Sequence, residues 1–224
     1  MKYEEYESAW SPARLNRYLI ACSGNKAKAL QLYRLNIRLC QKLYGLLNVF
    51  EVVLRNAINE HYQHFFCDIN WIESQLSSGG MLSLAPKREE VSATINKLIK
   101  SGKYTSDRVV SCLSLGFWTY LFTKYPFAKG GKSILKILPN KSKPLGQRMV
   151  YNDLMRIKNF RNRIAHHEPI CFDEKGQVNS SYARDNYLLI LRYMLFLGFV
   201  DKQLLWGMDV SPYHLFQRID SITE

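Results

Sequence analysis

The segment from Tyr151 to Ile170, YNDLMRIKNFRNRIAHHEPI, brings together Arg156, Arg161, Arg163, His166, His167 and Glu168. Cutting a phosphodiester without a metal takes a base, an acid and a fixed positive charge for the phosphorane. Histidine suits both proton roles near neutrality. Arginine suits the phosphate because its charge is constant and its donors form a fork. The same residue types also serve plain structure, since a cation at a helix C-terminus favours the dipole and pairs with carboxylates.

Leu154, Ile157, Phe160 and Ile164 recur at steps of three and four, which predicts an amphipathic helix. Pro169 disfavours helix at Glu168, so the histidines belong to its last turn. On a straight helix Arg161 and His166 lie about 140° apart, so they do not share a face. Asn162 and His166 do, as do Arg163 and His167. Joint action of Arg161 and His166 therefore requires either a distorted last turn or a site completed by a second protomer.

The elements that must position this segment also read as helices. Ser11 and Pro12 form a start signal, with Gly24 as the stop. From Lys26 to about Phe66 apolar residues keep helical spacing, predicting one long helix bent or broken near Gly45. Residues 70–85, with their SSGG, read as a loop or a short irregular insertion. Pro86 opens a helix to about Lys100. Another is predicted from Ser106 to Lys124, apolar on most sides and hence central. Residues 125–146 read as a basic loop, inserted in one domain spanning 1–224, with a helical turn at ILKIL. This loop is either a connector or an RNA-contacting face. Its GGKS is no Walker A motif, because the required glycine at 126 is proline and no strand precedes it. A last large helix is predicted from Tyr182 to Trp206 and a short one after Pro212. No strand pair stands out, so the fold class is all-α.

Formal net charge is +12, and a field of that sign draws polyanions. Its distribution is uneven: Arg108 to Asn152 holds no acidic residue but contains Arg108, Lys124, Lys129, Lys132, Lys136, Lys141, Lys143 and Arg148. The lysines from Lys124 onward and Arg148 are the candidate RNA contacts. Five scattered cysteines lack a C-x-x-C pair or zinc spacing, which predicts reduced thiols in a cytoplasmic protein and no structural metal. The N-terminus, MKYEEYESAW, is acidic where a secretion signal would be basic. The longest apolar run, Leu188 to Val200, contains Arg192 and reads as a buried helix rather than a membrane span.

Arg161, Asn162 and His166 form an R-N-x-x-x-H pattern within the string RNRIAHHEPI, and that string resembles the signature of the Abi-like family, the D/F group of bacterial abortive-infection proteins in the HEPN superfamily. Loose R-x4-6-H spacing arises about once by chance in such a chain, and Arg55 with His61 is a second instance. The longer string carries the likeness. Three further stretches resemble the family in order: SPARLNRYLIACSGNKAKALQLYRLN, FEVVLRNAINEHY and SLGFWTYLF. The resemblance implies a HEPN-like helical bundle with additional helices and a homodimer with two motifs facing one phosphate. It also implies a metal-independent endoribonuclease of phage defence, free of cofactors. It carries phosphate stabilisation to Arg161, proton transfer to His166 and an orienting role to Asn162. Arg163, His167, Glu168 and the second R-N element, Arg55 and Asn56, become supporting residues, with His167 expected to contact substrate and Glu168 to pair with Arg161 or Arg163. A toxin of this kind implies a restraining antitoxin or bound noncoding RNA. The alternative is a module of the same fold that holds structured RNA without cutting it.

Overall fold

The computed structural model describes residues 2–84, 86–141, 145–173, 175–199, 205 and 211–222. Among them all regular structure is helical, apart from an isolated antiparallel bridge between Phe172 and Val178. The helices are α1 (Tyr3–Trp10), α2 (Pro12–Ala21), α3 (Lys26–Phe66), α4 (Trp71–Ser74), α5 (Lys87–Lys100), α6 (Ser106–Cys112), α7 (Leu115–Tyr120), α8 (Lys124–Lys129), α9 (Gln147–Ala165), α10 (Ser181–Phe196) and α11 (Tyr213–Asp220), with a 3-10 turn at Ile134–Ile137. No helix among the described residues is long and apolar enough to cross a membrane.

Start signals in the sequence correspond to real caps. Ser11 Oγ accepts from Arg14 N at 3.4 Å with Pro12 at the first helical position, and Pro86 stands at the head of α5. Several boundaries differ from expectation for local reasons. α3 runs unbroken through Gly45; a mid-helix glycine costs only about 1 kcal/mol, and buried Leu43, Leu46 and Leu47 surround it. The apolar stretch after Ser106 is two helices, because Leu113 is extended and Ser114 Oγ caps α7 by accepting from Phe117 N at 3.3 Å. Part of the expected basic loop is α8, where Pro126 falls in the first turn, whose N–H groups need no intrahelical partner. α10 ends at Phe196, short of Trp206. Gly198 takes φ +90°, Gly198 N donates to Leu195 O at 3.0 Å, and Phe199 N donates to Met194 O at 3.1 Å, a Schellman ending. Trp206 itself lies outside the described residues. Neither α1 nor the short α4 was expected.

The chain divides into two compact units, one of Met1–Asn48, Phe160–Ile190 and Leu205–Glu224, the other of Val49–Asn159 and Leu191–Leu204. In the first, Leu15, Leu32, Leu39, Leu43, Cys171 and Ile219 are buried, and Tyr18 meets Phe172 edge-on at 5.2 Å between ring centroids. Asp220 of α11 caps α10, accepting from Ser180 N and Ser180 Oγ at 2.7 Å each and from Arg184 Nη2 at 2.9 Å. In the second unit Phe50, Tyr62, Trp71, Phe117, Trp118 and Phe122 are buried, and Trp71 Nε1 donates to Asn59 Oδ1 at 2.9 Å.

Candidate active site

The first unit holds the whole RNRIAHHEPI string. α9 ends at Ala165, and His166 N, one residue beyond, still donates to Asn162 O at 2.9 Å, the i to i−4 bond of an ordinary last turn. The angular separation of Arg161 and His166 therefore stands, and one chain does not set them on one face. Asn162 lies a turn beneath His166. Arg161 and Asn162 are half-buried, while His166, His167 and Glu168 are exposed.

The reversal comes one residue later. His167 has φ +58°, its N–H donates to Ile164 O at 3.0 Å, and Glu168 N donates to Arg163 O at 2.9 Å. This is the ending that α10 makes with Gly198, here with a histidine in the left-handed position. A non-glycine residue there costs roughly 1–3 kcal/mol, which neighbouring groups must offset. Arg14 Nη1 of α2 donates to His167 O at 3.2 Å. Arg163 Nε donates to Pro169 O at 3.1 Å and lies 3.6 Å from Glu168 Oε2, with the guanidinium 5.2 Å from the Tyr182 ring centroid. Asn36 Oδ1, buried on α3, accepts from Ile170 N at 2.9 Å. Arg163 and Glu168 thus fasten the segment leaving α9, whereas the His166 and His167 imidazoles are presented outward.

Beside this turn opens a cleft of about 500 Å³, with Tyr33, Ile37, Gln41 and Tyr44 from α3, Arg14 from α2, and His167 in its walls. Cys40 also lines it; burial pushes that thiol up to about 12, so it is a neutral wall atom rather than a nucleophile. A second cleft of about 360 Å³ shares Gln41 and adds Arg38, Lys42 and His214.

Arg55, Asn56 and the lysine-rich stretch belong to the second unit. Arg55 Nη1 donates to Ser111 O at a long 3.5 Å, and its Nε is buried without a partner. Asn56 and Lys136 are brought together with His61 and His64 around a cleft of about 380 Å³. His61 Nε2 lies 2.8 Å from Ser133 Oγ, and burial, then Lys136 and His64, hold its pKa below the ordinary value. Lys124, Lys129, Lys132 and Arg148 are exposed and Lys141 is half-exposed; Lys129 Nζ lies 5.7 Å from the Tyr125 ring centroid. Lys143 lies outside the described residues.

Sequence reasoning missed Arg14, Asn36, Arg38, Gln41, Lys42 and His214. One signal was available: Arg34, Arg38 and Lys42 are four apart and form a basic stripe on α3. Arg14 and Asn36 gave none, since their partners are distant in the chain. Among the described residues no group of three or more His, Cys, Asp or Glu is placed to hold a metal ion. No protein-family model matches this chain, and neither a curated protein nor a solved structure matches it.

Proposed function

We propose that this chain is a metal-independent endoribonuclease of the Abi-like type, with a HEPN-like bundle, that acts in abortive infection as a homodimer. The observation that carries the reading is the R-N-x-x-x-H pattern across the end of α9, with His166 exposed one residue past the helix and still bonded to Asn162 O. Two copies meeting about a two-fold axis would bring two Arg161 and two His166 to one phosphate. One imidazole takes the proton of a ribose 2′-OH as its oxygen attacks phosphorus. The guanidinium groups hold the phosphorane charge. The other imidazole protonates the departing 5′ oxygen. Products are a 2′,3′-cyclic phosphate and a 5′-hydroxyl, and DNA, lacking the nucleophile, is not cut. Such an activity in a cytoplasmic protein calls for restraint by an antitoxin protein or a bound noncoding RNA.

The test is labelled RNA and DNA of one sequence, incubated with the protein in EDTA. RNA alone should be cut, and Arg161→Ala and His166→Ala should each lose at least about a hundredfold in rate while keeping fold and most RNA affinity. Mixing the two variants should recover little, because a hybrid dimer holds one arginine and only one of the two imidazoles that the base and acid roles need. The separation of Arg161 and His166 on a single chain favours a second reading, a module that binds structured RNA without cutting it. Tight, salt-sensitive binding in all three proteins with no cleavage would establish that instead.

A further inference from the structure

We infer that Phe65, near the end of α3, is a stacking platform for a base of single-stranded RNA, with Lys132 beside it to take the neighbouring phosphate. The ring and the charge stand on the second unit itself; that the strand is RNA rests on the ribonuclease reading above. Phe65 is 43% exposed, a large ring left open to solvent. Its position is nevertheless fixed. The tip of the ring abuts the turn after α8, where a Cβ on Gly131 would stand 2.7 Å from Phe65 Cζ. Phe66 meets it edge-on at 4.9 Å between centroids and Tyr62 at 6.3 Å, while His61, one turn earlier, lies 6.2 Å away and within 20° of parallel. A ring held in one orientation loses little further freedom when a base stacks on it. The turn that it touches is left-handed at Gly131, φ +67°, and again at Lys132, φ +57°, a conformation that lysine rarely adopts. Lys132 thus follows directly on the residue in contact with the ring.

Ring and charge together choose the occupant. Lys132 is exposed, and among the described residues its ammonium makes no hydrogen bond or ion pair. Lys129 is exposed too, though its ammonium already lies 5.7 Å from the Tyr125 ring centroid. The sequence has no acidic residue from Arg108 to Asn152, so this turn sets no carboxylate of its own against them. On α3, Glu60 is about 140° round the helix from Phe65 and lines the cleft with Asn56, His64 and Lys136. Asp68 is occupied, accepting from Asn70 N at 2.7 Å and from Ser74 Oγ. An acidic segment answers the lysine but not the ring, and an apolar segment the ring but not the lysine. A nucleic-acid strand offers both, a flat base and a phosphate at every step. The base must be unpaired, because in a duplex its faces are already stacked on its neighbours.

The experiment follows, by fluorescence anisotropy over a salt series, the binding of a labelled single strand and of its duplex to the full chain. Both are 2′-O-methyl RNA, which lacks the attacking 2′-OH and is not cut, so binding is read apart from cleavage. Phe65→Leu keeps an apolar side chain without a π face, Phe65→Trp enlarges the platform, and Lys132→Ala removes the charge; urea unfolding checks that each folds. Phe65→Leu should weaken the strand at least about fivefold, with the duplex affinity and the salt slope unchanged. Phe65→Trp should bind the strand at least as tightly as wild type. Lys132→Ala should lower the slope of log affinity against log salt by about 0.7. Strand binding that Phe65→Leu leaves intact, or an equal loss for strand and duplex, overturns the platform. Polyglutamate that binds more tightly than the strand, with the same loss in Phe65→Leu, overturns it in favour of a protein partner. Unmodified RNA cut by a Phe65→Leu variant whose strand binding is intact sinks the platform and spares the ribonuclease. Binding that depends on Phe65, with no cutting of unmodified RNA, does the reverse.

Discussion

His167 occupies a backbone position that glycine fills at the end of α10. The left-handed conformation brings its Cβ against the backbone, yet the side chain is exposed and gains no burial in return. His167→Gly should therefore stabilise the protein by about 1 kcal/mol in urea unfolding. If the imidazole serves the proposed cleavage, the same variant should lose rate, a trade of stability against activity. Equal or lower stability would mean that the Arg14 bond to His167 O already removes the strain. The sequence foretold that the helix stops here, because Pro169 says so. It did not foretell the left-handed turn, which glycine usually announces, nor that Arg163 donates to the Pro169 carbonyl.

Among the elements, legibility followed punctuation. Ser11 with Pro12, Pro86 and Pro212 each marked a helix start, because a side-chain cap or a fixed φ is a local property. The break between α6 and α7 hid inside a continuous apolar run, where only Ser114 betrays it. The segment leaving α9 was least legible, since what holds it comes from α2 and α3. Asn36 is the sharpest instance: 5% exposed, it accepts the Ile170 N–H at 2.9 Å. Asn36→Ala leaves that donor unsatisfied in the interior and should cost about 1–3 kcal/mol, read as a lower urea midpoint with unchanged slope. An Asn36→Asp variant, which keeps an acceptor, should recover part of the loss near neutral pH.

For the molecule as a whole the all-α class and the basic balance were legible, because periodicity and net charge are sums over many residues. The charge offers RNA two candidate places. The sequence pointed to the lysines of 124–143, while the clefts beside the motif point to Arg38 and Lys42. Salt dependence of RNA binding separates the two. Removing one cation that neutralises a phosphate lowers the slope of log affinity against log salt by about 0.7–0.9. Arg38→Ala with Lys42→Ala should flatten it by up to about two such steps. Lys124, Lys129 and Lys132 changed together to Ala should flatten it where RNA also follows the second unit.

The bond from Arg14 to the carbonyl of His167 joins residues far apart in the chain. A gene fragment beginning after α2 would encode every residue of the motif and still lack one of the bonds that hold its final turn. Under the proposed ribonuclease reading, screening pieces of the protein for toxicity would then score the motif-bearing piece as weakened, and the N-terminal helices as needed, though they carry none of the proposed reacting groups.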